Sequence, residues 1–365
     1  MKMRKVTGRG ALSNREGRFA RTRYERDQAE CDTEAQDADT RSEPTQLHVD
    51  TSRTIIARNN SPDVPFTQSL NPYRGCEHGC IYCYARVTHA YLDLSPGGDF
   101  ETQIFYKPRA RDLLLAELGK PGYTVSPLAM GTNTDPYQPV ERKLQITRGV
   151  LELLLELRHP VTIVTKGALI LRDLDLLSAL AAQSLVTVTV SLTTLDDELK
   201  RRMEPRTAGP GRRLAMIRKL AQHGVPTGVL VAPIIPGLND HELEHMLERA
   251  AAQGAQSAGY VLLRLPHEVE SLFVEWLDTH YPDRSRHVQS LLKQMRGGQL
   301  NDGRFHARQR GAGPFAALLK ARFDRARDRY GLIRPAVLDT RSFRAPQLPG
   351  RQLDLWTIRN TGSDP

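Results

Sequence analysis

Three cysteines within eight residues are the part of this sequence best suited to chemistry. Cys76, Cys80 and Cys83 form the pattern C-x3-C-x2-C, and the fourth cysteine, Cys31, lies far from them in the chain. Three thiolates on one loop are one short of the four ligands of a structural zinc site. They suit a cluster of four irons, in which three irons take a protein ligand and the fourth is left open for a substrate or cofactor.

Two glycines and two histidines accompany the cysteines. Gly75 and Gly79 allow the loop to wrap closely around an inorganic core. His78 or His89 could complete a zinc site of the Cys3His type, so zinc is kept as an alternative. A disulfide is disfavoured, because a tight group of cysteines in a cytoplasmic protein is more often metal-binding or catalytic.

Short apolar runs alternating with amphipathic stretches must position this loop. The β-branched, strand-like runs are 67–72, 127–133, 161–167, 185–192, 227–237 and 259–266. The helical patterns between them are 144–158, 173–183, 211–224 and 240–254. Such alternation predicts an α/β fold with a parallel sheet, in the form of a partial (β/α)6 TIM-like barrel. Functional residues should then gather at the C-terminal ends of the strands, where the cysteines follow the first strand.

The charge is unevenly distributed along the chain. Residues 1–50 combine a basic and an acidic block with almost no apolar periodicity, which predicts a disordered charged arm. Residues 51–267 are predicted to form the partial barrel, and 268–345 a basic, mostly helical extension. Residues 346–365 are a tail rich in Pro and Gly. Residues 284–334 hold thirteen Lys/Arg against three Asp, a local charge of +10.

The apolar pattern gives no sign of a membrane or secretory segment. No apolar run approaches the roughly 18 residues that a membrane helix needs. The N-terminus is basic but is followed by no apolar stretch, so it does not look like a secretory signal. A cytoplasmic location is expected.

The cysteine loop resembles the signature of the radical S-adenosylmethionine (radical SAM) enzymes, with Tyr82 as the aromatic residue before the last cysteine. The resemblance covers roughly residues 65–265. It implies a [4Fe-4S] cluster on Cys76, Cys80 and Cys83, whose free iron is chelated by S-adenosylmethionine. One electron, from a donor such as flavodoxin or ferredoxin, then yields methionine and a 5′-deoxyadenosyl radical that abstracts hydrogen from the substrate.

The resemblance also suggests which strand ends contact S-adenosylmethionine. "GTNTDP" offers Thr134 and Asp135 for the methionine amine, and Asp135 is preferred because a carboxylate pairs well with an ammonium. Lys166 in "TKG" is the candidate for the methionine carboxylate. As alternatives, Asp-Pro often starts a turn, and a lysine at a strand end is often an ordinary surface charge.

The later strands supply the remaining cofactor candidates. Ser191 or Thr193 could reach the ribose hydroxyls, and the backbone around Ala232 and Pro233 could line the adenine. Apolar core packing is the alternative for that segment. Arg206 in "EPRT" is a weaker candidate.

Within the superfamily the sequence is most similar to spore photoproduct lyase and its uncharacterized bacterial relatives. The similarity is carried by "GCxxxCxYCY", "TNTDP", "TKG" and "EPRT". It implies DNA as substrate and Tyr82 and Tyr84 as radical relays, although packing is the stronger interpretation for Tyr82. The match breaks at Thr132, where the lyase pattern has a hydrogen-donating cysteine. A threonine O–H bond is too strong for that role, so either another donor operates or the reaction is not dimer reversal.

The basic C-terminal segment favours a nucleic-acid substrate. Phe305, Phe315, Phe323 and Tyr330 lie among its arginines and could stack on bases, or could pack in the core of a helical cap. The stretch 303–313 looks like a flexible basic loop. Two alternatives stay open: a radical SAM enzyme acting on a peptide or small metabolite, and a non-catalytic zinc or iron–sulfur protein that binds nucleic acid.

Overall fold

Six parallel strands follow one another across the main sheet in the order in which they occur in the chain. The structure, a computed structural model, describes residues 8–20 and 44–347. In this part of the chain the strands are β1 (Gln46–Val49), β2 (Ile56–Arg58), β3 (Gln68–Leu70), β4 (Tyr73–Arg74), β5 (Gln103–Tyr106), β6 (Leu128–Met130), β7 (Val161–Thr165), β8 (Val186–Ser191), β9 (Thr227–Ile234) and β10 (Ser257–Leu262). The sheet order is β2-β3-β6-β7-β8-β9-β10, with β2 antiparallel to β3 and the other pairs parallel.

Helices connect the parallel strands and then extend beyond the last one. The α-helices of the described residues are α1 (Asp99–Thr102), α2 (Ala110–Leu118), α3 (Glu141–Leu144), α4 (Ile146–Glu156), α5 (Leu174–Ala181), α6 (Asp197–Met203), α7 (Pro210–Gln222), α8 (Leu243–Ala252), α9 (Glu268–His280), α10 (Pro282–Met295) and α11 (Gly313–Arg329). The 3-10 helices are Tyr84–Leu92, Ala168–Asp173 and Asp240–Glu242. No helix in these ranges is long and apolar enough to cross a bilayer.

The predicted parallel α/β sheet is confirmed. Each of the six predicted strand runs contains or overlaps one parallel strand, and each predicted helical stretch contains or overlaps α4, α5, α7 or α8. The strands are rich in Val, Ile and Thr, as in β7 (VTIVT) and β8 (VTVTVS). Such β-branched residues are typical of strands in a parallel sheet whose face is packed against helices. The consecutive strand order is that of a (β/α) barrel, and the partial-barrel curvature stays a prediction.

A second, three-stranded sheet was not predicted. Its order is β1-β5-β4, with β1 parallel and β4 antiparallel to β5. Strands of two to four residues are too short to show an alternating apolar pattern. This sheet matters for the site because β4 belongs to the segment that carries the cysteines.

The predicted disordered arm over residues 1–50 is wrong for the parts of it that the structure describes. Arg9, Gly10 and Ala11 are buried, and residues 46–49 form β1. The prediction failed because these contacts are made mainly by backbone groups of a Gly-Arg-Gly stretch, which has no apolar periodicity. Residues 1–7, 21–43 (with Cys31) and 348–365 lie outside the described residues.

The extension after β10 is helical, as the sequence predicts, and packs back onto the sheet. Phe323 of α11 is 3% exposed, and its ring centroid lies 4.6 Å from that of Tyr260 in β10. Phe315 and Tyr330 are partly buried against the same core, whereas Phe305 is 55% exposed. Core packing therefore explains three of the four aromatic side chains proposed for base stacking.

About half of the basic groups in residues 284–334 are engaged within the protein. Five form ion pairs: Arg304, Arg308, Lys320, Arg322 and Arg327. Arg296 is 3% exposed and donates to the carbonyls of Leu263, Ala307 and Arg308. The other seven have no carboxylate partner among the described residues and are the most readily available to an anionic ligand.

A buried histidine predicts how stability depends on pH. His159 is 0% exposed, its Nδ1 lies 3.0 Å from the Pro160 carbonyl, and burial lowers its pKa from 6.5 to about 4. Between pH 7 and pH 5 the unfolded chain takes up a proton at this residue that the folded protein does not. The free energy of unfolding should therefore fall over this interval, by about 2 kcal/mol from His159. Urea unfolding at both pH values measures this fall. If a His159→Asn variant lost as much free energy of unfolding between pH 7 and pH 5 as wild type, the pH dependence could not be assigned to His159.

Candidate active site

The cysteine loop, residues 71–83, begins where β3 ends and is shaped by two glycines. Gly75 and Gly79 have φ of +79° and +66°, a region that residues with side chains rarely adopt. A Cβ on Gly79 would lie 2.6 Å from a carboxylate oxygen of Glu101, and one on Gly75 would lie 3.0 Å from the Phe100 carbonyl oxygen. These positions therefore need glycine for both conformation and space.

Side chains that follow β6 hold the first turn of the cysteine loop. The Thr134 hydroxyl donates to the Gly75 carbonyl (2.6 Å), and the Gln138 amide donates to the same oxygen (3.3 Å). Gln138 also accepts the backbone N–H of Glu77 (2.9 Å). Thr134, proposed as a contact of the methionine amine, is thus already committed to positioning the loop.

Hydrogen bonds to the backbone of the loop, from residues outside it, hold the rest of the loop. The N–H of Cys76 donates to the Phe100 carbonyl (3.0 Å). The Cys80 carbonyl accepts from Nε of Arg86 (2.9 Å), which lies in the following 3-10 helix. The loop is therefore fixed by groups outside it rather than by its own hydrogen bonds alone.

The three cysteines carry free thiols on this loop, with Cys76 and Cys80 buried and Cys83 partly buried. Burial raises the pKa of all three; for Cys80, burial together with the nearby Glu204 carboxylate raises the pKa to about 12. Burial thus favours the neutral thiol in the absence of a cation. Across residues 8–20 and 44–347, no three His, Cys, Asp or Glu side chains already stand in an arrangement that would hold a metal ion.

Asp135, the preferred candidate for the methionine amine, already has protein partners for both of its oxygens. One accepts from the Thr165 hydroxyl (2.6 Å) and the Tyr137 N–H (2.9 Å). The other accepts the Lys166 N–H (2.8 Å) and lies 3.2 Å from Nδ1 of His78. Although burial raises its pKa, His78 and these donors lower it well below the usual range. Asp135 thus ties the ends of β6 and β7 to the cysteine loop.

A buried ion pair lies close to Cys80. The Glu204 carboxylate is fully buried, and Arg213 of α7 is 1% exposed. Their salt bridge is joined by the Tyr82 hydroxyl, which donates to Glu204, and by the Thr193 hydroxyl, which donates to it at 2.7 Å. Arg213 also donates to the Ser191 carbonyl (3.0 Å). Tyr82 is therefore locked in place, which agrees with a packing role for this residue.

Lys166 lies at the end of β7 beside this network. Its Nζ is 5.8 Å from the centroid of the Tyr82 ring and has no carboxylate within ion-pair distance among the described residues. Burial lowers the pKa of Lys166, but the nearby Cys80 sulfur and Glu204 carboxylate raise it above the usual value. Lys166 is thus a charged amine near the cysteines that has no committed counter-ion.

Tyr84, Thr132 and Arg264 meet at the same edge of the sheet. The Tyr84 hydroxyl donates to the backbone carbonyl of Thr132, and the Asn71 amide donates to the Thr132 hydroxyl (3.1 Å). The Arg264 guanidinium lies 5.4 Å from the Tyr84 ring centroid, just beyond β10. Within residues 8–20 and 44–347, its buried Nε has no hydrogen-bond partner. Tyr84 is 44% exposed, so this group faces open space.

The remaining predicted residues are spread along the strand ends. Ser191 ends β8, and Ala232 and Pro233 lie in β9; the Ser191 hydroxyl approaches the Ala232 carbonyl at 3.4 Å. Arg206 lies near the cysteine loop, where its guanidinium pairs with Glu77 at 3.3 Å.

Several residues of this region were missed from sequence. Glu101, Arg86, Arg213 and Arg264 are charged, and charged residues usually indicate a solvated surface. Only "EPRT", which includes Glu204, gave a local signal. The others come together only through the fold.

Comparisons with known proteins agree with this geometry. Residues 70–250 match the family model described as the radical SAM superfamily. An uncharacterized protein of Mycobacterium tuberculosis is 40% identical over 226 residues, which cover 61% of this chain and 66% of that protein, just under two thirds of its length. A radical SAM Nalpha-GlyT isomerase of Pseudomonas phage M6 is 23% identical over 231 residues, covering 62% of this chain and 46% of the isomerase.

Solved structures support the fold independently. A spore photoproduct lyase structure aligns with a TM-score of 0.54 at 15% identity, covering 78% of this chain and 79% of the lyase chain. The matched family segment contains the cysteine loop and the strand ends from β6 to β9. One assignment follows from three observations. They are the C-x3-C-x2-C loop after the first parallel strand, the parallel strands that lie side by side in chain order, and the family match. Residues 70–250 of this chain form a radical SAM domain.

Proposed function

We propose that this protein cleaves S-adenosylmethionine reductively and uses the resulting radical to abstract hydrogen from a nucleic-acid substrate. The observation that carries the proposal is the loop of three free cysteines at the C-terminal end of β3, inside the matched family domain. In this proposal Cys76, Cys80 and Cys83 hold a [4Fe-4S] cluster.

The residues present fit such a cluster in chemistry and in shape. The donors are three thiols on one loop, the ligand type that iron–sulfur clusters use, and three ligands leave one iron free. The two glycine positions bring backbone rather than side chains to the turns of the loop, since a Cβ at Gly79 would collide with Glu101. When bound, the cluster supplies the electron that splits S-adenosylmethionine into methionine and a 5′-deoxyadenosyl radical.

The chain's own residues would bind and orient S-adenosylmethionine. Lys166, charged and without a carboxylate in ion-pair distance among the residues the structure describes, is the best candidate for the methionine carboxylate. Ser191 for the ribose, and the β9 backbone at Ala232 and Pro233 for the adenine, stay proposals supported by their positions at strand ends. Asp135 and Thr134 are weaker candidates for the methionine amine than the sequence suggested, because their acceptor and donor groups are already used.

Tyr84 is our candidate for relaying a hydrogen atom near the substrate. It follows the last cysteine, is partly exposed, and contacts Thr132, which stands where the lyase pattern has its cysteine. Tyr82 has its hydroxyl bound to buried Glu204, which favours positioning over relay.

Arg264 supports an anionic substrate. Its guanidinium lies over the exposed Tyr84 and near the positive charge of Arg308. Its buried Nε has no hydrogen-bond partner in the part of the chain that the structure describes. An arginine in this state favours a phosphate or carboxylate close to the reaction site. A peptide or metabolite carrying a carboxylate is the second candidate on the same observation.

The basic loop 303–313 extends this surface and favours the nucleic acid. The Gln309 carbonyl accepts the N–H of Leu262 at the end of β10 (2.9 Å), so the loop borders the same edge of the sheet. Arg308 is held by Asp63, whereas Phe305 is exposed and Arg310 lies 4.1 Å from the Tyr260 ring centroid. A cytoplasmic location and a one-electron donor such as flavodoxin or ferredoxin are part of the same proposal.

Oligonucleotide binding and turnover test the substrate class. Reconstituted under anaerobic conditions with dithionite, the protein should form 5′-deoxyadenosine, and single-stranded or duplex DNA or RNA should stimulate it. Binding should weaken steeply with salt, and Arg264→Ala should reduce the log–log salt slope by about 1 if its guanidinium contacts a phosphate. Fluorescence anisotropy with labelled oligonucleotides at several salt concentrations measures both.

Arg218→Ala is the matched control, because Arg218 is exposed on the crossover helix α7. It should leave the salt slope and the stimulation unchanged. Turnover without any response to nucleic acid would move the substrate to a peptide or metabolite. A colourless protein that holds one zinc would contradict the enzyme itself.

A further inference from the structure

Residues 8–20, which we call the N-terminal strap, lie directly against the cysteine loop. A Cβ on Gly10 would lie 1.7 Å from the Gly79 carbonyl oxygen, and one on Gly97 would lie 2.2 Å from the Ser13 carbonyl oxygen. Both contacts bring backbone against backbone with no room for a side chain. The strap therefore occupies one side of the loop, next to the residue that precedes Cys80.

Glu101 joins the strap to the cysteine loop. Its carboxylate is fully buried at the end of α1 and accepts the N–H groups of Gly10 (2.9 Å) and Ala11 (2.8 Å). The same carboxylate pairs with Arg86, whose Nε donates to the Cys80 carbonyl. Arg86 thus links Glu101, which holds the strap, to the backbone of Cys80.

The far end of the strap is fixed to the C-terminal extension. The Ser13 hydroxyl donates to Glu275 of α9 (2.5 Å), and Arg18 pairs with Glu268 of the same helix (2.7 Å). Arg18 also lies 5.3 Å from the centroid of the Tyr91 ring in the 3-10 helix after the cysteines. Contacts at both ends hold the strap across the loop.

We propose that the strap positions the cysteine loop and shields the cluster on that side, with Gly10 and Glu101 as its positioning residues. The inference rests on the proposed function, since it assigns a role toward the cluster. The groups behind metal ligands and the access of solvent set how tightly a metal site is held and its reduction potential. Displacing the strap would loosen the backbone of Gly79 and Cys80 and admit water.

Two glycine variants test the strap in the full-length reconstituted protein. Gly10→Ala should displace the strap because the added methyl group collides with the Gly79 carbonyl. Gly97→Ala should displace it because the added methyl group collides with the Ser13 carbonyl of the strap. In each, the visible absorbance of the cluster should decay about tenfold faster under air or chelator, because loss of groups behind metal ligands typically weakens metal binding by about 10–100-fold. The cluster's midpoint potential should also rise, because water reaches it.

Gly149→Ala is the control, because a Cβ there meets nothing within 4 Å in helix α4. It should match wild type in decay rate and potential. Far-UV circular dichroism and thermal unfolding confirm that the glycine variants fold. Wild-type decay and potential in both strap variants would overturn the inference while leaving the proposed function intact. Failure of wild type and Gly149→Ala to assemble any cluster would instead overturn the proposed function, and the strap's role with it.

Discussion

Cys80→Ala is expected to remove both the cluster and the cleavage of S-adenosylmethionine. Cys80 is one of three thiols on a loop that offers no fourth cysteine among the described residues, so a replacement ligand is lacking. We expect 5′-deoxyadenosine formation to fall by about 10³-fold or more, because groups that act as a unit fail together. The measurement is anaerobic reconstitution, iron and sulfide analysis, and product quantification by liquid chromatography.

Cys31→Ala is the control that carries the same chemical change. Cys31 is the chain's other cysteine and has no assigned role. This variant should bind as much iron as wild type and cleave S-adenosylmethionine at the same rate. If Cys80→Ala kept full iron content and activity, the assignment of this loop as the cluster site would be wrong.

Glu204→Ala is expected to produce a large loss of stability. It would leave the Arg213 guanidinium, 1% exposed, without its counter-charge, and would free the Tyr82 and Thr193 hydroxyls. Breaking a buried pair by removing one partner typically costs about 3–5 kcal/mol. Urea unfolding monitored by circular dichroism gives the change in the free energy of unfolding.

Two further variants separate the buried pair from ordinary surface charge. Glu198→Ala removes an exposed carboxylate that pairs with Arg202 one helical turn away, and should cost less than about 1 kcal/mol. The double variant Glu204→Met/Arg213→Met should lose less stability than Glu204→Ala, because no buried charge is left unpaired. A Glu204→Ala protein as stable as Glu198→Ala would show that this network does not support the fold.

The main sheet could be predicted because its signals are local. Runs such as "VTIVT" and "VTVTVS" are strongly β-branched, and the helices between them repeat apolar residues at three and four. The small sheet of β1, β5 and β4 could not be predicted, since strands of two to four residues carry no pattern. The packed part of the N-terminal strap was missed for a related reason: Gly10 is buried through backbone contacts.

The site could be predicted only where its residues are neighbours in sequence. The cysteines, Tyr82 and Tyr84 lie within nine residues, so the motif is visible without a fold. Asp135 and Thr134 could be placed after the second predicted strand, but their hydrogen bonds to the cysteine loop and to β7 depend on tertiary contacts. The Glu204–Arg213 pair forms between separate helical segments, which sequence spacing alone does not reveal.

The most direct test of the account is electron paramagnetic resonance of the reduced, reconstituted protein with and without S-adenosylmethionine. The account predicts a reduced iron–sulfur signal whose shape changes when S-adenosylmethionine is added, since three cysteines leave one iron open to it. A signal unaffected by S-adenosylmethionine, or a protein that binds zinc and shows no such signal, would contradict it.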